Sequence, residues 1–240
     1  MRLTVLGMNG PYPAPKSACS GYLVTSGDTA IELDLGTGTL SALTGRMPPE
    51  SLTALVFSHW HFDHCSDALP LIFRLADHAG DRPLPVYGPV DEASPIRHAL
   101  AACPQVALHD LSAGDTVQLG TVSLTAYAAR HPVPGLMYRL DDGTSTLCFT
   151  GDTNTTESLP VFAKDADLLL ADGLFTTQLW AEGKPHLSAC LAAELARDAG
   201  AKQLVITHLN PFIDPAALLK EARSAYPKAV LAQCGDTYEC

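Results

Sequence analysis

A chain of 240 residues, 47% apolar and 17% charged, has the length and balance for a buried core and falls outside the disordered class. Its net charge of -11, from 15 Lys and Arg against 26 Asp and Glu, argues against a broad basic surface for nucleic acid. No apolar run reaches membrane-spanning length and the start, "MRLTVLGMNG", lacks a signal-peptide pattern, so the expected location is the cytoplasm and no membrane partner is expected. In chain order, "LTVLG" reads as a first strand, and "CSGYLVTSGDTAIELDLG" as two strands joined at Ser26-Gly27-Asp28. "TALVFS" (53–58) is a short apolar strand that runs into His59. A helix fits Asp67–Ala79, with Ala68, Leu71, Ile72 and Leu75 on one face. "LPVYGP" reads as a strand, "DEASPIRHALAAC" as a helix after Pro95, and "VALHDL", "DTVQLG" and "TVSLTAYAA" as short strands. "LMYRL" and "STLCFT" form a hairpin around Asp141-Asp142-Gly143, and "DLLLAD" is a buried strand. "SACLAAELARDAG" is an amphipathic helix with Ser188 as N-cap and Gly200 near its end. "KQLVITH" is a strand ending at His208, "DPAALLKEARSAY" a helix with Pro215 in its first turn, and "KAVLAQ" a last strand. The pattern looks doubled and suits two sheets with helices outside, with residues 1–240 read as one domain.

The seven cysteines, an odd number with no CxxC pair, do not read as a disulfide framework; most are expected as packed thiols, Cys65 included. The dense chemistry lies elsewhere. "FSHWHFDHCSD" places His59, His61, Asp63 and His64 within six residues just beyond a strand. His59 and His61 are two apart, so an extended backbone points both the same way, whereas Asp63 and His64 follow as the chain turns. Four ligands would suffice for one tetrahedral ion. Further ligand types stand at the ends of apolar runs, however: His131, Asp152, Asp172 and His208. Together they are too many for one ion. Trp60 and Phe62, between the ligands, are expected to face away from the metals. His78, His98 and His109 match no ligand position, and Gly-rich phosphate loops are absent.

Residues 59–64 match the HxHxDH signature of the metallo-β-lactamase fold hydrolases, and the resemblance continues through His131, "TGDT" at Asp152 and "THL" at His208. It implies a four-layer αββα sandwich. It also implies one ion on His59, His61 and His131, a second on Asp63, His64 and His208, and Asp152 bridging both. Two such ions lower the pKa of a shared water and take up charge on the substrate, so the implied activity is that of a dinuclear metal-dependent hydrolase. Zinc suits the imidazole and carboxylate donors, with manganese as the alternative. Asp63 is counted with the catalytic residues as well as the ligands.

"LLLADGLF" with Asp172 and "GKPHLSACLAAELA" with His186 resemble the ribonuclease Z-like branch. There a histidine at the place of His186 acts on the scissile phosphate or leaving group and an acidic residue orients it. That resemblance implies a phosphodiesterase. Only 21 positions separate His131 from Asp152, which leaves no room for the tRNA-gripping arm of the tRNA-processing enzymes. Position 67 is Asp where those enzymes usually have Gly, and the amino-terminal segment lacks their arginine-asparagine pattern. The expected substrate is a small phosphodiester or nucleotide-like molecule rather than tRNA. Hydrolysis of a thiolester, lactone or other carboxyl derivative is the enzymatic alternative, and a silent metal-binding or sensing relative the other. A homodimer is the partner that relatives suggest. Asp34 is a candidate to orient a ligand histidine, Tyr12 or Lys16 to contact phosphate from a loop over the site (7–17), and Phe175, Leu179 and Trp180 to form a lid, a dimer contact or core.

Overall fold

The structure, a computed structural model, describes residues 1–78 and 82–240. Its first half runs β1 (Arg2–Gly7), β2 (Gly21–Ser26), β3 (Thr29–Leu35), α1 (Thr39–Thr44), β4 (Ala54–Val56), α2 (Phe62–Cys65), α3 (Ala68–His78), β5 (Leu84–Pro89), α4 (Pro95–Ala101) and β6 (Val106–Leu111). The second runs β7 (Thr116–Leu119), β8 (Val122–Ala128), β9 (Leu136–Asp141), β10 (Thr146–Phe149), α5 (Leu159–Ala163), β11 (Leu168–Asp172), α6 (Ala189–Asp198), β12 (Leu204–Thr207), α7 (Pro215–Ala225) and β13 (Val230–Leu231), before β14 (Thr237–Glu239).

Among the described residues these strands make two seven-stranded sheets, ordered β14-β1-β2-β3-β4-β5-β6 and β13-β12-β11-β10-β9-β8-β7. Each sheet is antiparallel on one side and parallel on the other. The change falls at β3, antiparallel to β2 and parallel to β4, and at β10, antiparallel to β9 and parallel to β11. The parallel strands are covered on both faces and accordingly read as unbroken apolar runs, such as Ala54–Val56 and Leu168–Ala171. Alternate residues of both sheets, including Tyr22, Ile31 and Leu33 from one and Leu124, Tyr138 and Phe149 from the other, form one core between them. On the outer faces, α1, α3 and α4 pack Leu43, Leu71 and Leu100 against Leu55 and Phe57. α5, α6 and α7 pack Phe162, Ala193 and Leu218 against Leu169 and Ile206. The result is the αββα sandwich.

Two details depart from the sequence reading, and a third lies beyond its reach. Asp67 lies before α3, and its Oδ2 accepts from the Gly38 and Leu40 amides, both at 2.9 Å, so it caps α1, whose own N-cap residue is a glycine. The expected end of α3 at Ala79 lies outside the described residues. The last expected strand shrinks to Val230–Leu231, and the chain then crosses to add β14 beside β1. Thr237-Tyr238-Glu239 has no apolar run to announce a strand; pairing with β1 makes it one. No described helix is long and apolar enough to cross a membrane.

Candidate metal centre

The ligand-type side chains gather at the carboxyl ends of the strands, beside the two points where sheet direction changes, which is where open α/β sheets present their crevices. Asp34 is the penultimate residue of β3 and His59 follows β4; Asp152 follows β10, Asp172 ends β11 and His208 follows β12. His131 comes after β8, which runs the same way as β10. Two of these backbones are strained: Asp34 and His208 have φ of 59° and 57°, a region that non-glycine residues seldom occupy. Gly10, in the amino-terminal loop, passes so close that a Cβ there would stand 1.9 Å from His208 Nε2.

Three groups of ligand atoms each lie within 4.8 Å of one another: His59, His61, His131 and Asp152; Asp63, His64, Asp152 and His208; and Asp152, Asp172, His186 and His208. Asp152 belongs to all three. In the first group His61 Nδ1 is 3.1 Å from both His59 Nε2 and His131 Nε2. In the second, His208 Nε2 is 3.1 Å from Asp63 Oδ2, and His64 Nε2 is 3.2 Å from Asp152 Oδ1. A tetrahedral zinc with bonds of about 2.0–2.1 Å sets its ligand atoms about 3.3 Å apart, so the spacing is that of a coordination shell.

The hydrogen bonds behind these atoms settle which nitrogens are bare. Ser58 donates its hydroxyl to Asp34 Oδ2 at 2.9 Å, so its oxygen accepts from His59 Nδ1 at 3.0 Å. His131 Nδ1 donates to the Pro185 carbonyl at 3.3 Å, and His64 Nδ1 to Asp34 Oδ2 at 2.7 Å. The Nε2 atoms of His59, His131 and His64 are thereby left as lone pairs turned inward. His61 can give a proton to one neighbour, never both. Among the described residues, His64 Nε2 and Asp152 Oδ1 are buried without a hydrogen-bond partner. Inward lone pairs and buried carboxylates repel unless a cation lies among them, so the donor set fits divalent metal.

The proton affinities agree. Burial pulls His59, His61 and His131 below the usual imidazole value, keeping them neutral donors. Burial also acts against charge on His64, but Asp152, Asp63 and Asp34 outweigh it and raise its pKa well above the usual imidazole value, a pull on a proton that a cation among these carboxylates would replace. Burial would raise Asp152; His208, His64 and His186 hold it well below the carboxylate range instead. Asp63 is likewise held down, against burial, by His64 and His208.

His186 stands beside this centre. Its Nδ1 lies 2.9 Å from Asp172 Oδ2 and 3.8 Å from Asp152 Oδ2. Burial opposes its charging, but Asp172 and Asp152 prevail and push its pKa up to about 9. Asp172 is fixed in turn by the Thr153 and Leu174 amides, at 3.3 and 3.1 Å.

Every sequence-designated ligand and both members of the His186–Asp172 pair thus meet at one place. Trp60 is buried in the outer core, whereas Phe62 is 63% exposed and lines a 210 Å³ cleft with His61 and Val133. Cys65 is a packed thiol directed at the Trp60 and His61 carbonyls. His78, His98 and His109 are exposed, away from the ligand sets. Tyr12 packs edge-on against Phe212, and Lys16 lines a cleft with Met8 and Cys234. Trp180 is tied to Asn154 and Phe175 stacks edge-on near His186. Sequence reasoning passed over Ser58 and Asn154, whose signals were their places next to His59 and after "GDT".

A family model described as the β-lactamase superfamily domain matches residues 34–209. The chain is 32% identical to the probable metallo-hydrolase YhfI of Bacillus subtilis over 100% of both chains. The crystal structure of that metallo-β-lactamase fold protein superposes with a TM-score of 0.92, covering 99% of this chain and 98% of the other. A ribonuclease Z of Methanosarcina mazei is 25% identical over 97% of this chain and 96% of its own. Human tRNase Z, short form, shares the fold with a TM-score of 0.82 at 19% identity, covering 100% and 99%.

Proposed function

The chain belongs to the β-lactamase superfamily, and from that membership we propose that it is a dinuclear metal-dependent phosphodiesterase of the ribonuclease Z-like kind, acting on a small phosphodiester or nucleotide-like substrate. In this reading His59, His61 and His131 hold one ion, Asp63, His64 and His208 the other, and Asp152 reaches both. Zinc is the metal best suited to these donors, with manganese second. When bound, the ions supply Lewis-acid activation of a water and neutralise charge on phosphoryl oxygens.

The observation that carries the choice of a phosphodiester is the His186–Asp172 pair, 2.9 Å apart. With Nδ1 committed to Asp172, Nε2 is the atom that holds a transferable proton. A protonated imidazole there can bind a phosphoryl oxygen and deliver its proton to the departing alkoxide. Asp172, held by two amides, keeps the ring in the tautomer this needs. The relatives named ribonuclease Z support the same reading. The interval from His131 to Asp152 is filled by the β9–β10 hairpin, and with a net charge of -11 this favours a small substrate over tRNA.

The test is turnover of bis-p-nitrophenyl phosphate against a thiolester and a lactone panel. Phosphodiester hydrolysis should dominate, and His186→Ala should lower turnover of a phosphodiester with a poor leaving group, such as a phenyl ester, by about 10²–10⁴-fold with both ions retained. Preference for the thiolester or lactone, or unchanged turnover in the variant, would sink the assignment.

A further inference from the structure

We propose that Asn154 is a positioning residue, which holds one loop so that it aligns His131 and His186 together. The inference rests on the metal-dependent phosphodiesterase reading above, and none of the ligand or proton-transfer roles includes this residue.

Asn154 is fully buried and directly follows Asp152-Thr153. Its Nδ2 lies in hydrogen-bonding range of three backbone carbonyls of a single loop, Ala181 at 3.2 Å, Glu182 at 3.2 Å and Lys184 at 2.5 Å, its two N–H groups serving them with one shared. Its Oδ1 accepts from the Thr155 amide at 2.6 Å and from Trp180 Nε1 at 3.2 Å. The side-chain amide is therefore saturated; four of its five partners lie on residues 180–184 and the fifth on the next residue of its own turn. Arg130 adds a second tie, donating to the Glu182 carbonyl at 3.2 Å and the Thr155 carbonyl at 3.3 Å. The Asn154 amide closes the set on the Arg130 carbonyl at 3.0 Å.

The next two residues of that loop do chemistry-facing work. The Pro185 carbonyl accepts from His131 Nδ1 and so selects the tautomer that leaves His131 Nε2 bare. His186 follows immediately. One tripeptide, Asp152-Thr153-Asn154, thus reaches a ligand shared by all three clusters, the Asp172 carboxylate through the Thr153 amide, and the loop that sets both histidines. Lys184 is bonded directly to Pro185 and precedes His186 by two positions, so a shift of its carbonyl reaches both through the shortest backbone path.

Asn154→Asp keeps the size and the acceptor but removes both donors; Asn154→Ala removes the whole node; Trp180→Phe removes only one donor to Oδ1. Each is compared with the wild-type protein loaded with two equivalents of Zn²⁺. Stepwise zinc binding against a chromophoric chelator should show one of the two sites weakened about tenfold in Asn154→Asp and Asn154→Ala, the other unchanged. Turnover of aryl methyl phosphodiesters with leaving groups from p-nitrophenol to phenol should fall most for phenol, because misaligned His186 matters most where the departing oxygen needs a proton. Trp180→Phe should show the same pattern, smaller, and guards against misfolding of the other two. A merely structural residue would lower the melting temperature while leaving zinc affinities and leaving-group dependence as in wild type; that result would overturn the proposal. Should the wild-type protein cleave no phosphodiester, the phosphodiesterase reading fails, but selective weakening of one zinc site still supports the link to His131 and its absence still refutes it.

Discussion

The two halves of the molecule reach the same centre by different routes. In the first, four ligand-type residues leave one strand end within His59–His64, and a short helix turns them toward two destinations. In the second, His131, Asp152 and His208 come from three strand ends separated by 21 and 56 positions, and His186 is delivered by a loop. The first half is stiffened from beneath by Asp34, which accepts from the Ser58 amide at 2.7 Å, the Ser58 hydroxyl and His64. The second is stiffened from the side by Asn154 and Asp172. A compact motif needs one carboxylate behind it; a dispersed one needs a network, because each ligand arrives on its own backbone.

Substitutions can break this comparison. The largest effect is expected from Asp152→Ala, since Asp152 alone joins all three clusters. Elemental analysis should find both ions lost and turnover at background; retention of two ions would show that the halves bind independently. His59→Ala and His208→Ala should each leave about one ion per chain, equal losses from the compact and the dispersed half. Asp34→Asn should weaken ion binding by about 10–100-fold through His64, without unfolding, read by chelator competition. An affinity equal to wild type would show that the first half needs no support from below.

The smallest effect concerns stability. On β3, Ile31 and Leu33 face the inter-sheet core, so Glu32 between them faces the outer helix layer, with both carboxylate oxygens buried and without partners. Burial, and next the charge of Asp34, raise its pKa well above the usual value. At β10, the strand of the second sheet where direction also changes, Cys148 faces the outer core as an apolar thiol. A carboxyl whose folded pKa is raised favours the native state below about pH 4.3, its unfolded value, and loses that contribution as pH rises toward the folded pKa. Glu32→Met should therefore raise unfolding free energy at pH 7 by about 1–3 kcal/mol, and by less at pH 4. Denaturant midpoints at the two pH values measure it, and an equal gain at both would remove ionisation as the cause.

Much of this was legible in the residues. Apolar periodicity located α6 and α7, and Ser188 sits at the expected N-cap of α6, its side-chain oxygen accepting from the Leu191 amide at 3.2 Å; the cap of α7, Asp214 accepting from the Ala216 amide at 2.9 Å, came only with the structure. It missed β14, whose pairing partner lies more than 230 positions away in β1. It also missed the donor and acceptor roles of Ser58 and Asn154, since a hydroxyl or an amide has no periodicity and acquires a role only from what folds against it.

By itself the sequence determined the ligand types, their places at strand ends and the doubled order of strands and helices, because local spacing and apolar runs encode those directly. Only the tertiary structure decided that Asp152 lies within reach of every cluster, that Asp34 stands under His64, and that residues 180–184 lock against Asn154. The first depends on two sheets packing face to face, the other two on parallel strands lying side by side within one sheet, and both bring together backbones that no local pattern connects.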